Sequence, residues 1–380
     1  MKIGIVCYPT YGGSGVVATE LGKSLAQRGH SVHFISYKQP ERLDFFDKNI
    51  FFHEVNVSTY PLFDFPPYET SLTSRLVDVV KFEKLDLLHV HYAIPHASAA
   101  ILAKQILASQ GIKIPVITTL HGTDITLVGK DTSFEPVVTH SINMSDAVTS
   151  VSESLKRDTY KFFNTKKHIE VIPNFIDFNR FQKQSKEPFK KSIAPGNEKL
   201  IVHTSNFRKV KRVGDVLKIF AKIVEKIPAK LILVGDGPER HNAELLSREL
   251  DICNHVSFLG KQNTVEEILS ICDLFLMPSE TESFGLAALE AMACEVPVIA
   301  SNAGGIPELI IEGETGFMCA VGDVESMAAK GVYLLEDENR LNEFKANALK
   351  RALEFDINTI VPVYEKFYLN VLSQTNNIRY

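Results

Sequence analysis

The chain has 380 residues, 45% hydrophobic and 23% charged, a length and balance that suit two globular domains and exclude a disordered or fibrous protein. Forty-one basic against forty-six acidic residues leave a formal net charge of −5, which argues against a nucleic-acid surface, because phosphate backbones need a basic footprint. The five cysteines are scattered, odd in number and mostly set in apolar runs, as expected of reduced thiols in a cytoplasmic protein, and no CxxC pair points to zinc or redox work. The apolar start KIGIVCY is too short for a signal-peptide core and no run approaches a membrane span, so the protein is expected to be cytoplasmic, without a membrane partner and complete from Met1.

In chain order, KIGIVCY reads as a strand, PTYGGSG as a turn, VVATELGKSLAQRG as a helix and HSVHFISY as a second strand. Val16, Val17, Leu21 and Leu25 recur at helical spacing, while the flanking runs are short and β-branched, as in strands buried on both faces. Further strands are expected at LDLLHVHY, PVITTLHG, DAVTSVS and HIEVIPN, with helices at ASAAILAKQILASQG and ESLKRDTYKFF. After a polar stretch at 188–199 a second series begins with KLIVHTSN, AKLILVGDGP, HVSFLG, DLFLMPS and PVIASN, and the chain reads as helical from about Val324 onward. The economical fold class is α/β, with two doubly wound sheets in tandem.

Gly13, Gly15 and Ala18 in GGSGVVA fit G-x-G-x-x-G/A between a strand and a helix, where backbone N–H groups and the helix dipole favour an anion. A dinucleotide site also needs an acid near the end of the second strand, whereas this strand ends SYKQP. Lys38 could meet a 2′-phosphate instead, so an NAD(P)-dependent oxidoreductase stays open beside an anion or substrate loop and a bare turn. His89 and His91 share a strand face at a spacing some metal sites use, yet the sequence places no third ligand with them. His121, followed by Gly122, stands at a strand end, where doubly wound folds hold their ligands.

In the second half, LVGDGPER supplies a matching glycine loop, and SNFRKVKR sets Arg208, Lys209, Lys211 and Arg212 after a strand, which suits a phosphate clamp. TESFGLAALEA places Glu282 just before a helix beginning near Gly285, and Glu290 more than a turn inside it. The first N–H groups of such a helix are free for an anion, and a carboxylate inside it needs hydrogen-bond donors, for which sugar hydroxyls serve. With Gly304, Gly305 and Glu308 downstream, these residues describe a nucleotide-sugar site.

The same residues resemble the retaining glycosyltransferases of family four. The matching elements are E-x-F-G-x-x-x-x-E from Glu282 to Glu290, EVPVIASNAGGIPEL, TGFMCAVGD, VIPNFID and LVGDGP. In the first half, CYPTYGGSGVVATELGKSLAQRGH, HVHYAIPHA and TLHGTDITLVG resemble the branch of that family that moves N-acetylglucosamine from UDP-N-acetylglucosamine to the hydroxyl of L-malate, the first step of bacillithiol formation. The resemblance implies GT-B architecture, two Rossmann-like domains facing a central cleft. Residues 1–170 would bind the acceptor and 171–355 the nucleotide sugar, with a C-terminal helix at about 356–380 packing back on the first domain.

Carried over by position, the resemblance implies that Glu290 holds the ribose, and that Glu282 with the backbone of Phe284, Gly285 and Leu286 holds the donor sugar and diphosphate. His121 would contact the sugar near the reacting centre, Gly15 would approach the diphosphate and Glu308 the nucleotide. The family's Arg and Lys, five apart, fall on Phe207 and Arg212, so Arg208 and Lys211 join Asn206 and Arg212 as donor-binding candidates. Gly13, Ser14, Arg75, Tyr92 and Thr119 are acceptor candidates. The family implies no metal and no cofactor, with the departing phosphate oxygen as base. A transferase with another acceptor, a UDP-N-acetylglucosamine epimerase and a non-catalytic binding module remain alternatives, and a homo-oligomer is compatible with the sequence.

Overall fold

Each half of the chain assembles short apolar runs into a parallel sheet, described in a computed structural model for residues 1–10, 12–43, 47–57, 64–184 and 186–377. The described chain divides into two units, one of Met1–Asn174 with the C-terminal segment from Ile357, the other of Phe175–Asp356.

In the first unit the strands are β1 (Lys2–Val6), β2 (Ser31–Ser36), β3 (Ile50–Glu54), β4 (Leu87–His91), β5 (Val116–Leu120), β6 (Ala147–Ser150) and β7 (Ile169–Val171). They pair in the order β3-β2-β1-β4-β5-β6-β7, all parallel. The strand order reverses between β1 and β4, the switch point at which doubly wound sheets place a ligand crevice. Helices α1 (Gly13–Gln27), α2 (Tyr68–Glu83), α3 (Ser98–Ser109), α4 (Glu135–Met144) and α5 (Glu153–Phe162) connect the strands.

The second unit repeats the topology with α6 (Glu187–Ile193), β8 (Lys199–Thr204), α7 (Val213–Val224), β9 (Ala229–Val234), α8 (Arg240–Glu249), β10 (Val256–Gly260), α9 (Val265–Leu269), β11 (Leu274–Met277), α10 (Leu286–Ala293), β12 (Val298–Ser301), β13 (Gly316–Cys319), α11 (Val324–Leu335) and α12 (Glu338–Ala352). Its strand order is β10-β9-β8-β11-β12-β13. Ile201, Phe207, Leu217, Phe220, Leu231 and Leu274 are fully buried in one core between sheet and helices.

The last helix, α13 (Ile357–Asn377), belongs to the first unit. Its Glu365 accepts from Arg28 Nε at 2.8 Å and meets His30 Nε2 at 2.8 Å, and its Tyr364 and Tyr368 are buried. α13 thus packs within the first unit, and the last three residues of the chain lie outside the described ones. The sequence reading missed β3 and α2. β3 is an edge strand whose Phe51 and Phe52 are exposed, so it carries neither the buried run of a central strand nor clean alternation.

Candidate active site

In the first unit, Tyr8 and Thr10 lie between β1 and the start of α1. A Cβ at Gly15 would stand 2.5 Å from the carbonyl oxygen of Tyr8 and 2.8 Å from that of Thr10, so only glycine lets the helix start close on the loop. Ser14 Oγ donates to Tyr92 Oη at 2.7 Å. Tyr92 follows β4 with φ 87°, and its N–H donates to the Thr119 carbonyl at 2.9 Å. Its ring lies 5.3 Å from that of His121 and 5.4 Å from that of Tyr8, and Tyr8 lies 4.5 Å from His96. The ends of β1, β4 and β5 thus bring Ser14, Tyr8, Tyr92 and His121 together.

A polar ladder continues inward from this cluster. His121 Nε2 and His91 Nδ1 are 2.7 Å apart, and the His91 ring lies 4.5 Å from that of His89. His89 uses both ring nitrogens, one with Thr119 Oγ1 at 2.6 Å and the other with Tyr368 Oη at 2.7 Å, so the pair suggested by spacing offers no free nitrogen at His89 for a metal. Asp124 accepts from the N–H groups of Ala93, Gly122 and His121 at 2.9, 3.0 and 3.3 Å, and so fixes the loops that follow β4 and β5.

Burial sets the protonation of this cluster. It lowers His89 and His121 to about 3, His96 to about 4, and His91 well below its ordinary value, with neighbouring imidazoles adding to the effect at His89, His91 and His121. These histidines are neutral at pH 7. Burial also raises Asp124 to about 6, against the opposing hydrogen bonds of the backbone amides.

The signs on stability are opposite. A lowered histidine stabilises the fold above about pH 6.5, the unfolded value, and that stability is lost as pH falls toward the folded one. Asp124 contributes stability below its unfolded value that is lost as pH rises through about 6. Four imidazoles outweigh one carboxyl, so the stability of the fold is expected to fall as pH drops from 7.5 to 5, by on the order of 1 kcal/mol for each imidazole, and the melting midpoint with it. A midpoint constant over that range, measured by circular dichroism, would contradict this assignment.

In the second unit the loop after β8 carries the basic run. Phe207, with φ 40°, is fully buried, and a Cβ on Gly235 or Gly237 would stand 1.8 Å from the Ser205 carbonyl oxygen or 2.0 Å from that of Asn206. The LVGDGP loop is therefore packed directly on this backbone. Arg212 adopts the left-handed region at φ 50°, and its guanidinium turns to Asp215 at 2.6 Å. Lys211 instead reaches Glu282, Nζ to Oε1 2.5 Å. Glu280 N–H donates to the Val210 carbonyl at 2.8 Å, tying the two loops together.

The helix foreseen near Gly285 is α10, starting at Leu286 behind Gly285 with φ 95°. Its ladder begins with Ala288 N–H to Gly285 O at 2.9 Å, so the N–H groups of the preceding residues point out of the helix start. Glu282 is half-buried before it, and Glu290 is half-buried in its second turn. Gly304 and Gly305, on the loop after β12, pack against the loop of Glu282: a Cβ would come within 1.9 Å of the Glu282 carbonyl oxygen at the former and within 2.3 Å of the Ser283 carbonyl oxygen at the latter. The Glu308 backbone carbonyl accepts from Arg351 at 2.6 Å.

The structure thus collects Lys211, Glu282, Gly285 and Leu286 around one helix start, and leaves Asn206 and Arg208 exposed on the neighbouring loop. Two acceptor candidates lie elsewhere. Thr119 is fully buried, its hydroxyl held between His89 and Thr149, each at 2.6 Å, so its side chain supports the interior ladder. Arg75 lies two turns, about 10 Å, beyond Tyr68, the α2 residue whose ring meets His96. It lines a cavity of about 370 Å³ with Glu54, Asn56, Thr70, Ser74 and Asp78. Tyr8 was missed by the sequence reading, although its place directly after β1 was the signal for it.

Comparisons with known proteins match both units. The profile described as Glycosyltransferase Family 4 matches residues 11–180, and that described as Glycosyl transferases group 1 matches residues 184–351. The chain is 48% identical over 379 residues to the N-acetyl-alpha-D-glucosaminyl L-malate synthase of Bacillus anthracis, covering 99% of both chains. It is 28% identical to an uncharacterized glycosyltransferase of Methanocaldococcus jannaschii, covering 100% of this chain and 97% of the other.

Among solved structures, Anabaena HepE in complex with UDP and glucose superposes with a TM-score of 0.82 at 21% identity, covering 97% of this chain and 99% of that one. A sucrose-phosphate synthase from Thermosynechococcus elongatus gives a TM-score of 0.81 at 20% identity, covering 98% and 99%. At these identities the two solved structures show the fold, GT-B. Among the described residues no helix is long and apolar enough to cross a membrane. With its two profile matches in the order of its two units and a near-full-length relative at 48% identity, the chain belongs to the family-four glycosyltransferases.

Proposed function

We propose that the protein moves N-acetylglucosamine from UDP-N-acetylglucosamine to the hydroxyl of L-malate, with retention at the anomeric carbon and with no metal or cofactor taking part in the transfer, as the opening step of bacillithiol formation in the cytoplasm. The carrying observation is the Lys211–Glu282 pair at the start of α10, 2.5 Å from nitrogen to oxygen. A cation beside a helix N-terminus is what a departing diphosphate needs, since both stabilise charge that grows in the transition state. The choice of donor sugar and acceptor rests on the near-full-length similarity to the Bacillus anthracis enzyme.

In this reading Glu282 accepts from donor-sugar hydroxyls while holding Lys211 toward the diphosphate, and Glu290 accepts from the ribose. The amides at Gly285 and Leu286 meet the phosphate oxygens, with Asn206 and Arg208 on the adjoining loop. His121, neutral because it is buried, donates or accepts a hydrogen bond at the sugar without adding charge. The departing phosphate oxygen takes the proton of the malate hydroxyl. Ser14, Tyr92 and the amides of the Gly13–Gly15 turn hold the malate carboxylates.

UDP release measured against a panel of hydroxy acids and sugars tests this. Release dependent on L-malate, and unchanged by EDTA, is the expected result. Activity without any acceptor, or restored only by added magnesium, would overturn it.

A further inference from the structure

At the outer edge of the N-terminal sheet, β2 and β3 run parallel with His33 opposite Phe51 and Ile35 opposite His53. His33 and His53 therefore project from the same face, one pleat apart. Their rings are nearly parallel, 5.2 Å between centroids at 15°, and His33 Nδ1 lies 2.9 Å from His53 Nε2. Glu83, the last residue of α2, completes the group: one ligand atom from each of His33, His53 and Glu83 lies within 4.8 Å of the others.

The arrangement is costly as a set of side chains alone. His33 is 1% exposed, and its Nε2 makes no hydrogen bond, although a buried polar nitrogen without a partner loses free energy relative to water. Two neutral imidazoles facing each other share a single proton, so one lone pair of the set is left to a weak role. The nearby cation Lys2 is engaged, its ammonium donating to the Glu83 backbone carbonyl at 2.8 Å.

We propose that His33, His53 and Glu83 bind a divalent transition-metal ion, Zn²⁺ before others, with water completing a four-coordinate site. Two imidazoles and one carboxylate are a zinc donor set, at metal distances of about 2.0 to 2.2 Å. Ligand atoms in such a sphere stand about 3.5 Å apart, so the facing imidazole nitrogens, 2.9 Å apart, must open slightly while the widest separation, up to 4.8 Å, closes by roughly an ångström, which side-chain rotation of the half-buried His53 and Glu83 supplies. The ion would tie β3, held by hydrogen bonds to β2 alone among the described strands, to the end of α2. This site spans β2 and β3, on the far side of β1 from β4 and β5, is separate from the His121 cluster, and does not depend on the transferase reading.

Full-length protein stripped with EDTA and dialysed should bind about one equivalent of Zn²⁺ per chain in competition with a chromophoric chelator. Co²⁺ in its place should give the visible d–d absorption of a four-coordinate site. At a hundredfold excess over its dissociation constant, zinc should raise the melting midpoint by about 5 °C. His53→Ala and Glu83→Gln, each changing a half-buried side chain, should fold and lose the cobalt spectrum and the thermal shift together. No saturable binding to the wild type, or unchanged binding in His53→Ala, overturns the proposal, the second by assigning the ion to another site.

Discussion

Lys211→Ala is expected to lower kcat by about 10² to 10³, the usual effect of removing one preorganised group that stabilises transition-state charge. Two losses combine. The variant removes the ammonium beside the start of α10, and it leaves the Glu282 carboxylate, 14% exposed and formerly 2.5 Å from that ammonium, facing a doubly charged leaving group. Like charges brought together in a half-buried site raise the barrier further.

Arg212→Ala is the matched control, because that guanidinium is held by Asp215. It should change kcat by less than about tenfold, since the guanidinium is already occupied by the buried Asp215 carboxylate within the same helix turn. The two variants are compared by steady-state kinetics with both substrates saturating. If Arg212→Ala is the crippled enzyme and Lys211→Ala resembles wild type, the assignment of the phosphate-binding cation is wrong.

Gly304→Ala should be among the most damaging single methyl additions in the second unit. Gly304 has φ +59°, and its added Cβ would lie 1.9 Å from the carbonyl oxygen of Glu282, the same oxygen that accepts from Gly305 N–H at 2.8 Å. Backbone, not a movable side chain, fills that space, so the loop carrying Glu282 must shift. We expect a loss of about 2 to 3 kcal/mol of stability, and a hundredfold lower turnover, since a displacement near one ångström has about that cost.

Gly313→Ala separates strain from collision: its φ is +77° but a Cβ there meets nothing within 4 Å. It should cost only about 1 kcal/mol and leave turnover intact. Denaturant unfolding and kinetics of the two variants provide the comparison. Equal effects of the two substitutions would remove the steric argument.

How far the sequence revealed this molecule depended on burial. Strands buried on both faces, such as β1 and β11, announce themselves as near-continuous apolar runs, and α10 begins one residue from where its glycine predicts. β3 escaped because an edge strand with exposed Phe51 and Phe52 has neither a buried run nor alternation. In α2, Leu72, Leu76, Val79 and Val80 are buried at helical spacing, but polar residues dilute the pattern.

The site was legible as residue types and strand-end positions, and less so as directions. That Thr119 ends a strand does not say which face its hydroxyl takes, and it takes the interior one, toward His89 and Thr149. Four basic residues within five positions cannot say which cation faces Glu282. That choice is made by the left-handed turn at Arg212, a backbone property that no spacing rule contains. Glu282 and Lys211 are 71 residues apart, and only the parallel pairing of β8 with β11 brings their loops side by side.

Identity and stereochemistry of the product test the central claim most directly. Purified protein is incubated with UDP-N-acetylglucosamine and L-malate, and the product is analysed by mass spectrometry and by the anomeric proton in its NMR spectrum. The account predicts one N-acetylglucosaminyl malate per UDP released, with the α-configuration of the donor retained. A β-linked product, or a new UDP-sugar formed with malate unconsumed, would contradict it.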